Sequence, residues 1–339
     1  VRRFLIIQTA FIGDVVLATA LVEKLRQYYP DAVIDFMLRK GNEHLLKGNP
    51  QVGKTYIWDK RKRKLKNLWQ IAWQIRRARY THVINVHRHA TSGFVTWISG
   101  AREKRGFSKN PFAWCYTHRF GHRFSQPEDA AAIHETDRNQ ALIADLTDER
   151  PARPRLYPAT TDEEATRMYK DMPYVCIAPS SVWPTKRFPT VRWAELIERL
   201  PGQMRIYLLG GKEDSDVAEE IMALCSNNDV VNLSGKLSMI QSAALMRDAV
   251  MNYANDSGPV HFASALNAPM TAVFCSTHRC FGFGPLSDQS RLVEVSDLYC
   301  KPCGLHGYPA CPQKHFRCAM DIDINSLLWW TLPRILKPA

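Results

Sequence analysis

Residues 4–28 read Phe-Leu-Ile-Ile-Gln-Thr-Ala-Phe-Ile-Gly-Asp-Val-Val-Leu-Ala-Thr-Ala-Leu-Val-Glu-Lys-Leu-Arg-Gln-Tyr. The apolar run 4–7 is short enough for a buried strand, 8–14 is a polar loop closed by Gly13 and Asp14, and 14–28 has helical patterning. This strand, loop and helix form one step of a parallel sheet covered by helices, and the step repeats along the chain. In the first half it predicts further strands at 33–38, 55–58, 82–86 and 104–107, with helices at 65–79, 91–99 and 134–146. Residues 150–158 are proline-rich, cannot continue a helix and read as a linker. The alternation then resumes, with strands at 175–178, 205–209, 230–232, 250–254 and 270–274 and helices at 191–200, 216–225, 239–247 and 258–266. The segment 325–332, with Leu327, Leu328, Trp329, Trp330 and Leu332, carries enough apolar surface to dock. The expected class is therefore α/β, with two Rossmann-like doubly wound domains and a ligand cleft between them at the carboxyl ends of the strands. Their expected bounds are 1–158 and 159–323, followed by a C-terminal helix, 324–339, packing back towards the N-terminal domain.

The length of 339 residues allows each domain its own core. A hydrophobic share of 45% with 23% charged residues excludes a disordered or low-complexity chain. No apolar run approaches the roughly 20 residues that cross a bilayer. Gln8 and Asp14 interrupt the first apolar stretch before it could serve as a secretory signal, so a cytoplasmic location is expected. With 45 Lys and Arg against 33 Asp and Glu, the formal charge is +12, which calls for an anionic partner. Nucleic acid, nucleotide, phosphorylated sugar and anionic lipid all satisfy it.

Three strand-to-helix loops carry the chemistry. In 8–14 the helix N-terminus is a natural anion site, with Gly13 permitting a tight path, yet an acid stands where a phosphate would sit. Asp14 reads either as a helix cap or as a general base facing a cleft. The glycines of a dinucleotide fingerprint are missing. In 178–189, Ser180, Ser181, Lys186 and Arg187 suit a pyrophosphate. In 255–261, Asp256, Ser257 and Gly258 open a helix with Pro259 in its first turn, and His261 follows.

Together these loops resemble glycosyltransferase family nine, the ADP-heptose:lipopolysaccharide heptosyltransferases. The resemblance spans nearly the whole chain and also takes in Gly210 to Asp214 and Gly235 to Ser238. It implies a GT-B fold, with an acceptor side in the first domain and a donor side in the second. It further implies that Asp14 is the catalytic base and that Lys186 meets the donor phosphates with Ser180 and Ser181. Asp214 or its neighbour Glu213 would reach the ribose, and the backbone at Leu237 would receive adenine. Asp256, Ser257, Gly258 and His261 match contacts to pyrophosphate and sugar. On the acceptor side, Gly13 is joined by His134 and Arg138, whose i,i+4 spacing sets them on one helical face. That pair suits an acceptor phosphate or carboxylate, or a salt bridge to a neighbouring acid. Asn85 to His89 departs from the family pattern of an acid and a glutamine before a glycine, which bears on acceptor recognition.

The implied activity is inverting transfer of a heptose or related sugar from a nucleotide diphosphate, ADP-heptose, to a lipid-linked or core-oligosaccharide acceptor of the lipopolysaccharide inner core. Lys186 and helix amides would stabilise the leaving group, so no cofactor is required for catalysis. The alternatives are a GT-B nucleotide-sugar epimerase and a non-catalytic module that binds nucleotide-sugar or docks on lipid.

Two features stand outside this scheme. Six of the seven residues 60–66 are basic, and the helix after them shows Leu65, Leu68, Trp69, Ala72 and Ile75 on one face. This reads as a core-facing helix with a solvated basic edge, or additionally as peripheral contact with an anionic inner membrane. No nucleic-acid motif accompanies the charge, and nucleic acid is not an expected partner. Cys300, Cys303, Cys311 and Cys318 crowd one loop and read as a structural zinc site, as reduced thiols or as an oxidised pair. Cys115, Cys176, Cys225, Cys275 and Cys280 read as reduced thiols.

Overall fold

A strand covered by helices on both faces has no wet side, so its sequence is an unbroken apolar run. The run at the start of the chain becomes β1 (Arg3–Ile7), with Phe4, Leu5, Ile6 and Ile7 fully buried. The computed structural model describes residues 1–129, 131–226 and 229–328. The chain divides into two units, Val1–Phe124 with Ile133–Tyr157, and Ser125–Ala132 with Pro158–Ala339.

In the first unit β1 is followed by α1 (Ile12–Tyr28), β2 (Val33–Arg39), β3 (Thr55–Trp58), α2 (Lys64–Arg77), β4 (His82–Asn85), α3 (Ala90–Ile98), β5 (Glu103–Phe107), β6 (His118–Phe120) and α4 (Glu135–Gln140). Among the described residues these strands form one six-stranded sheet in the order β3-β2-β1-β4-β5-β6. It is parallel throughout. Phe4 sits opposite Ile34 on one side and His82 on the other. Leu68, Ile71, Ala72 and Ile75 of α2 close one face of the sheet over Leu5, Ile7 and Val83.

The second unit contains α5 (Thr160–Arg167), β7 (Tyr174–Ala178), α6 (Thr190–Glu198), β8 (Arg205–Leu208), α7 (Ser215–Leu224), β9 (Val230–Asn232), α8 (Met239–Arg247), β10 (Met251–Asn255), α9 (Gly258–Leu266), β11 (Met270–Phe274), β12 (Ser290–Glu294), α10 (Arg317–Met320) and α11 (Ile324–Leu328). Its sheet runs β12-β11-β10-β7-β8-β9, the same winding pattern as the first, with β7 in the place of β1. Both units are thus doubly wound and Rossmann-like.

Several expectations are corrected. The helix expected over 134–146 is α4 followed by a separate 3₁₀ turn, Ala144–Leu146. It stops where buried Arg105 takes the Leu142 carbonyl and pairs with Asp145 (Nη2 to Oδ2, 2.9 Å). The linker residues 155–157 lie on α1, where Arg155 N–H donates to Thr19 Oγ1 (2.9 Å) and Tyr157 Oη to Glu23 Oε1 (2.9 Å). β6, of three residues, and β12 are largely polar strands at sheet edges, where the sequence offers no apolar run to mark them. The described part of the C-terminal segment packs in its own unit, with Ile324, Leu327 and Leu328 in the core beneath α6. Trp329, Trp330 and Leu332 lie outside the described residues. Among the described residues no helix is long and apolar enough to cross a membrane.

Candidate active site

In a doubly wound sheet the connections on either side of the first strand run to opposite faces, so the loops after two neighbouring strands part and leave a crevice. In the first unit those loops follow β1 and β4. Thr9 Oγ1 lies 3.0 Å from His87 Nδ1 across them, and Lys60 Nζ donates to the Thr9 carbonyl (2.8 Å). Asp14 is the third residue of α1, and its Oδ2 accepts the Phe11 N–H (3.1 Å). The capping reading is therefore realised, through Oδ2. Burial, and then the negative charge of Glu135, push the half-buried Asp14 carboxyl up to about 6, against the pull of the Phe11 amide and Arg88. A carboxylate tuned this close to neutral pH has the proton affinity that a general base needs, so capping and the base reading are compatible in one residue.

Glu135 is itself buried, yet His122 and Arg138 hold its carboxyl below the ordinary range (Nε2 at 3.4 Å and Nε at 2.8 Å). Arg88 Nη1 lies 3.3 Å from His122 Nδ1, and Arg39 lies over the Phe11 ring at 5.1 Å and feels the Asp14 charge. Burial, with His89, Lys60 and Arg88 adding to it, pushes His87 down to about 3, so its imidazole is neutral at working pH. His134 does not share a helical face with Arg138. It precedes the helix as N-cap, its Nδ1 accepting the Thr136 N–H (3.1 Å). Arg138 is buried, bridged to Glu135 and donating to the Ile133 carbonyl (2.6 Å). Gly13 lies inside α1 without left-handed backbone, so glycine there supplies a missing side chain and not a turn. Arg39, Lys60, Arg88, Glu135 and His122 escaped the sequence reading. Only Arg88, within the atypical 85–89 segment, and Lys60, within the basic run, gave a local signal.

In the second unit the equivalent crevice lies between the loops after β7 and β10. Asn255, at the end of β10, fastens both ends of the β7 loop. It accepts the Phe188 N–H (2.8 Å) and donates to the Pro179 carbonyl (2.6 Å). Thr185 is buried and anchors the loop to Tyr308 (Tyr308 N–H to Oγ1, 2.7 Å) and to Ser276 (3.1 Å). A Cβ on Gly307 would come within 2.8 Å of Thr185 Oγ1 and 3.2 Å of Lys186 Cγ, so only glycine lets that segment approach. The clamped loop presents Lys186, whose Nζ meets Asp256 Oδ2 at 2.6 Å, and Thr277 donates to the same oxygen (2.7 Å). Among the described residues Ser180 Oγ is buried without a hydrogen-bond partner. The Ser181 carbonyl accepts from Arg187 Nε (2.6 Å).

Ser257 is the N-cap of α9, but its hydroxyl donates back to the Asn255 carbonyl (3.2 Å), so its side chain leaves the first-turn amides from Gly258 onward uncapped. His261 is buried in that turn, edge-on to Phe283. Beyond β8, Asp214 spends Oδ2 on the Gly211 N–H (2.8 Å), whereas Glu213 is exposed. Gly235, at φ +72, donates to the Gly210 carbonyl (3.0 Å) and brings half-buried Leu237 to the same edge. The residues expected on the donor side thus stand at the carboxyl ends of four adjacent strands, β10-β7-β8-β9.

The cysteine loop places Cys300 Sγ 3.9 Å from His315 Nε2, and burial pushes the Cys318 thiol up to about 12. All nine cysteines are free. Among the described residues no three His, Cys, Asp or Glu side chains are grouped to hold a metal ion.

The model of glycosyltransferase family 9 (heptosyltransferase) matches residues 68–309. The lipopolysaccharide heptosyltransferase 2 of Escherichia coli K12 is 24% identical over 332 residues, covering 88% of this chain and 90% of that protein. The lipooligosaccharide heptosyltransferase 2 of Haemophilus ducreyi is 27% identical over 318 residues, covering 87% and 89%. The structure of E. coli ADP-heptose lipopolysaccharide heptosyltransferase II has a TM-score of 0.80 at 21% identity and covers 98% of each chain, a likeness of GT-B fold.

Proposed function

The chain belongs to glycosyltransferase family 9, the heptosyltransferases, and from that premise we propose that it moves a heptose from ADP-heptose to a lipopolysaccharide inner-core acceptor with inversion. The observation that carries this reading is that each unit sets charged side chains on the loops of its own switch point. One presents Asp14 at the mouth of α1, and the other presents Lys186 and Asp256 beside the mouth of α9.

The acceptor hydroxyl oxygen bonds to the anomeric carbon as the bond from that carbon to the diphosphate breaks. The proton passes to Asp14, and the electron pair leaves with ADP. Lys186 and the α9 amides meet the charge that builds on the diphosphate. Asp256, steadied by Thr277, aims the Lys186 ammonium. Ser180, whose buried hydroxyl has no protein partner among the described residues, supplies a further donor to a phosphate oxygen. His261 faces the sugar end of the same helix mouth. Glu213, and not the capping Asp214, is the acid that reaches the ribose, and the backbone at Leu237 takes the adenine. On the acceptor side Arg39, Lys60 and Arg88, with His134, offer cations and donors suited to core phosphates and carboxylates, while buried Arg138 holds the Glu135 carboxylate in place. On this reading no metal is required, because fixed cations and amide dipoles carry the leaving-group charge.

The test is transfer by the purified chain from ADP-heptose to a core acceptor, followed by mass spectrometry and with the product anomer read by NMR. Asp14→Ala should lower turnover by at least about a hundredfold, while ADP still raises the melting temperature of the variant. Wild-type turnover by that variant, or retention of anomeric configuration, overturns the reading.

A further inference from the structure

The face of α2 expected to pack in the core is only partly there. Leu68, Ala72 and Ile75 are buried, but Leu65 is 74% and Trp69 47% exposed. Trp73, Trp97 and Trp114 are exposed as well. These indoles do not stand singly. Trp69 stacks on Phe94 (5.6 Å between centroids) and meets Trp73 edge-on (6.1 Å), while Trp97 joins Phe94 (6.2 Å) to Trp114 (6.0 Å). The result is one aromatic surface spread over α2, α3 and the segment after β5. Isolated exposed apolar residues need no explanation, but a contiguous patch of this kind marks a contact surface.

The neighbourhood of the patch identifies what it contacts. Trp69, Trp73, Gln74 and Arg77 line an open depression of about 540 Å³ with Gln70. A second of equal volume, lined by Lys62, Arg63, Lys66, Asn67 and Asp59, shares Gln70 with it. The Asp59 carboxylate is already engaged by the N–H groups of Arg61 (2.8 Å) and Lys62 (3.2 Å) and by Lys40 (3.1 Å). An indole surface therefore adjoins a cationic hollow. Indoles favour the boundary between headgroups and acyl chains, and lysines and arginines beside them favour anionic headgroups.

We propose that this surface docks the chain on an anionic phospholipid bilayer, with phosphates over Lys62, Arg63 and Lys66 and the Trp69 and Trp73 indoles at headgroup depth. A second copy is a poorer occupant, because a twofold contact would set the basic hollow against itself. Single-stranded nucleic acid needs open ring faces to stack on, whereas Trp69 lies against Phe94 and Trp97 against Phe112 (6.2 Å). The strap entering α2 also carries Lys60, bonded to the Thr9 carbonyl in the loop before Asp14, so the docked surface and the base loop are mechanically joined. Vesicle binding stands independently of the transferase reading, and only the effect on an embedded acceptor rests on it.

The test is co-sedimentation of the full chain with phosphatidylcholine vesicles, with or without phosphatidylglycerol, together with tryptophan emission and quenching by brominated lipid. Wild type should bind only the anionic vesicles, shift its emission to the blue and be quenched. K62E/K66E should weaken partitioning by about 25-fold or more, at about fivefold for each cation lost. W69S/W73S should lose the blue shift and the quenching, with circular dichroism confirming that each variant is folded. Both double variants should retain transfer to a deacylated, water-soluble acceptor and lose it towards an acceptor embedded in vesicles. The proposal is overturned if wild type stays in the supernatant with both vesicle types, or if the variants bind as wild type does. It is equally overturned if the Trp substitutions instead abolish self-association or oligonucleotide binding.

Discussion

Replacing Asp14 by Asn should make this protein more stable while nearly silencing it. The Asp14 carboxyl stands at about 6 in the folded chain against an ordinary 3.8, chiefly because burial disfavours its charge. Between about pH 4 and 6 the native state therefore holds more protons than the unfolded chain, and stability falls as pH rises through that window. Above it the ionised carboxylate costs the fold about 3 kcal/mol, which water reaching the half-buried group reduces to about 1–2 kcal/mol. Asn keeps the acceptor for the Phe11 N–H and removes the charge. At pH 7 the Asp14→Asn variant should melt about 1–3 °C above wild type. The gain should shrink at pH 5 and vanish below pH 4, where both side chains are neutral. Turnover should fall by at least about a hundredfold with the base gone. Scanning fluorimetry across that pH range, on the same preparations used for transfer assays, reads both effects. A variant no more stable than wild type at pH 7, or one whose gain does not depend on pH, would show that burial of this charge is not what tunes it.

The same tuning predicts that wild-type kcat/KM falls on the acid side with a midpoint near 6. At pH 5 about a tenth of the plateau should remain, whereas an ordinary carboxylate would leave it almost whole. Lys186→Ala leaves the Asp256 carboxylate, whose side chain is only 10% exposed, without its cation. Calorimetry should show ADP binding at least about tenfold weaker, and adding Asp256→Asn should recover part of the lost stability. Asn255→Ala strands the Phe188 N–H and the Pro179 carbonyl. It should cost about 2–4 kcal/mol, read as a lower urea midpoint, and should weaken ADP binding because the loop carrying Lys186 loses both fastenings.

The residues proposed for the donor side stood out in the sequence because each sits in a loop directly after a strand, where a parallel sheet opens. Lys186 and Asp256 are far apart in the chain, yet both sit at the carboxyl ends of neighbouring strands β7 and β10. Their 2.6 Å contact follows from strand order. The surroundings of Asp14 were harder to read. Glu135, His122 and Arg88 come from three separate segments that carry no common motif, and His134 proved to be a cap because the helix starts one residue later than its spacing implied. Leu65 and Trp69 misled for a different reason, since apolar periodicity marks a face without saying whether anything covers it.

Local pattern was sufficient for the two doubly wound sheets, the helix-mouth loops and the excess of positive charge. Strands wet on neither side must be apolar runs, and turns must fall where those runs end. Three-dimensional packing alone settled the pKa of Asp14, the clamp on the Lys186 loop and the exposure of the tryptophans. Burial, the placement of charges and the covering of a face depend on segments brought together from across the chain, and no stretch of sequence records its distant neighbours.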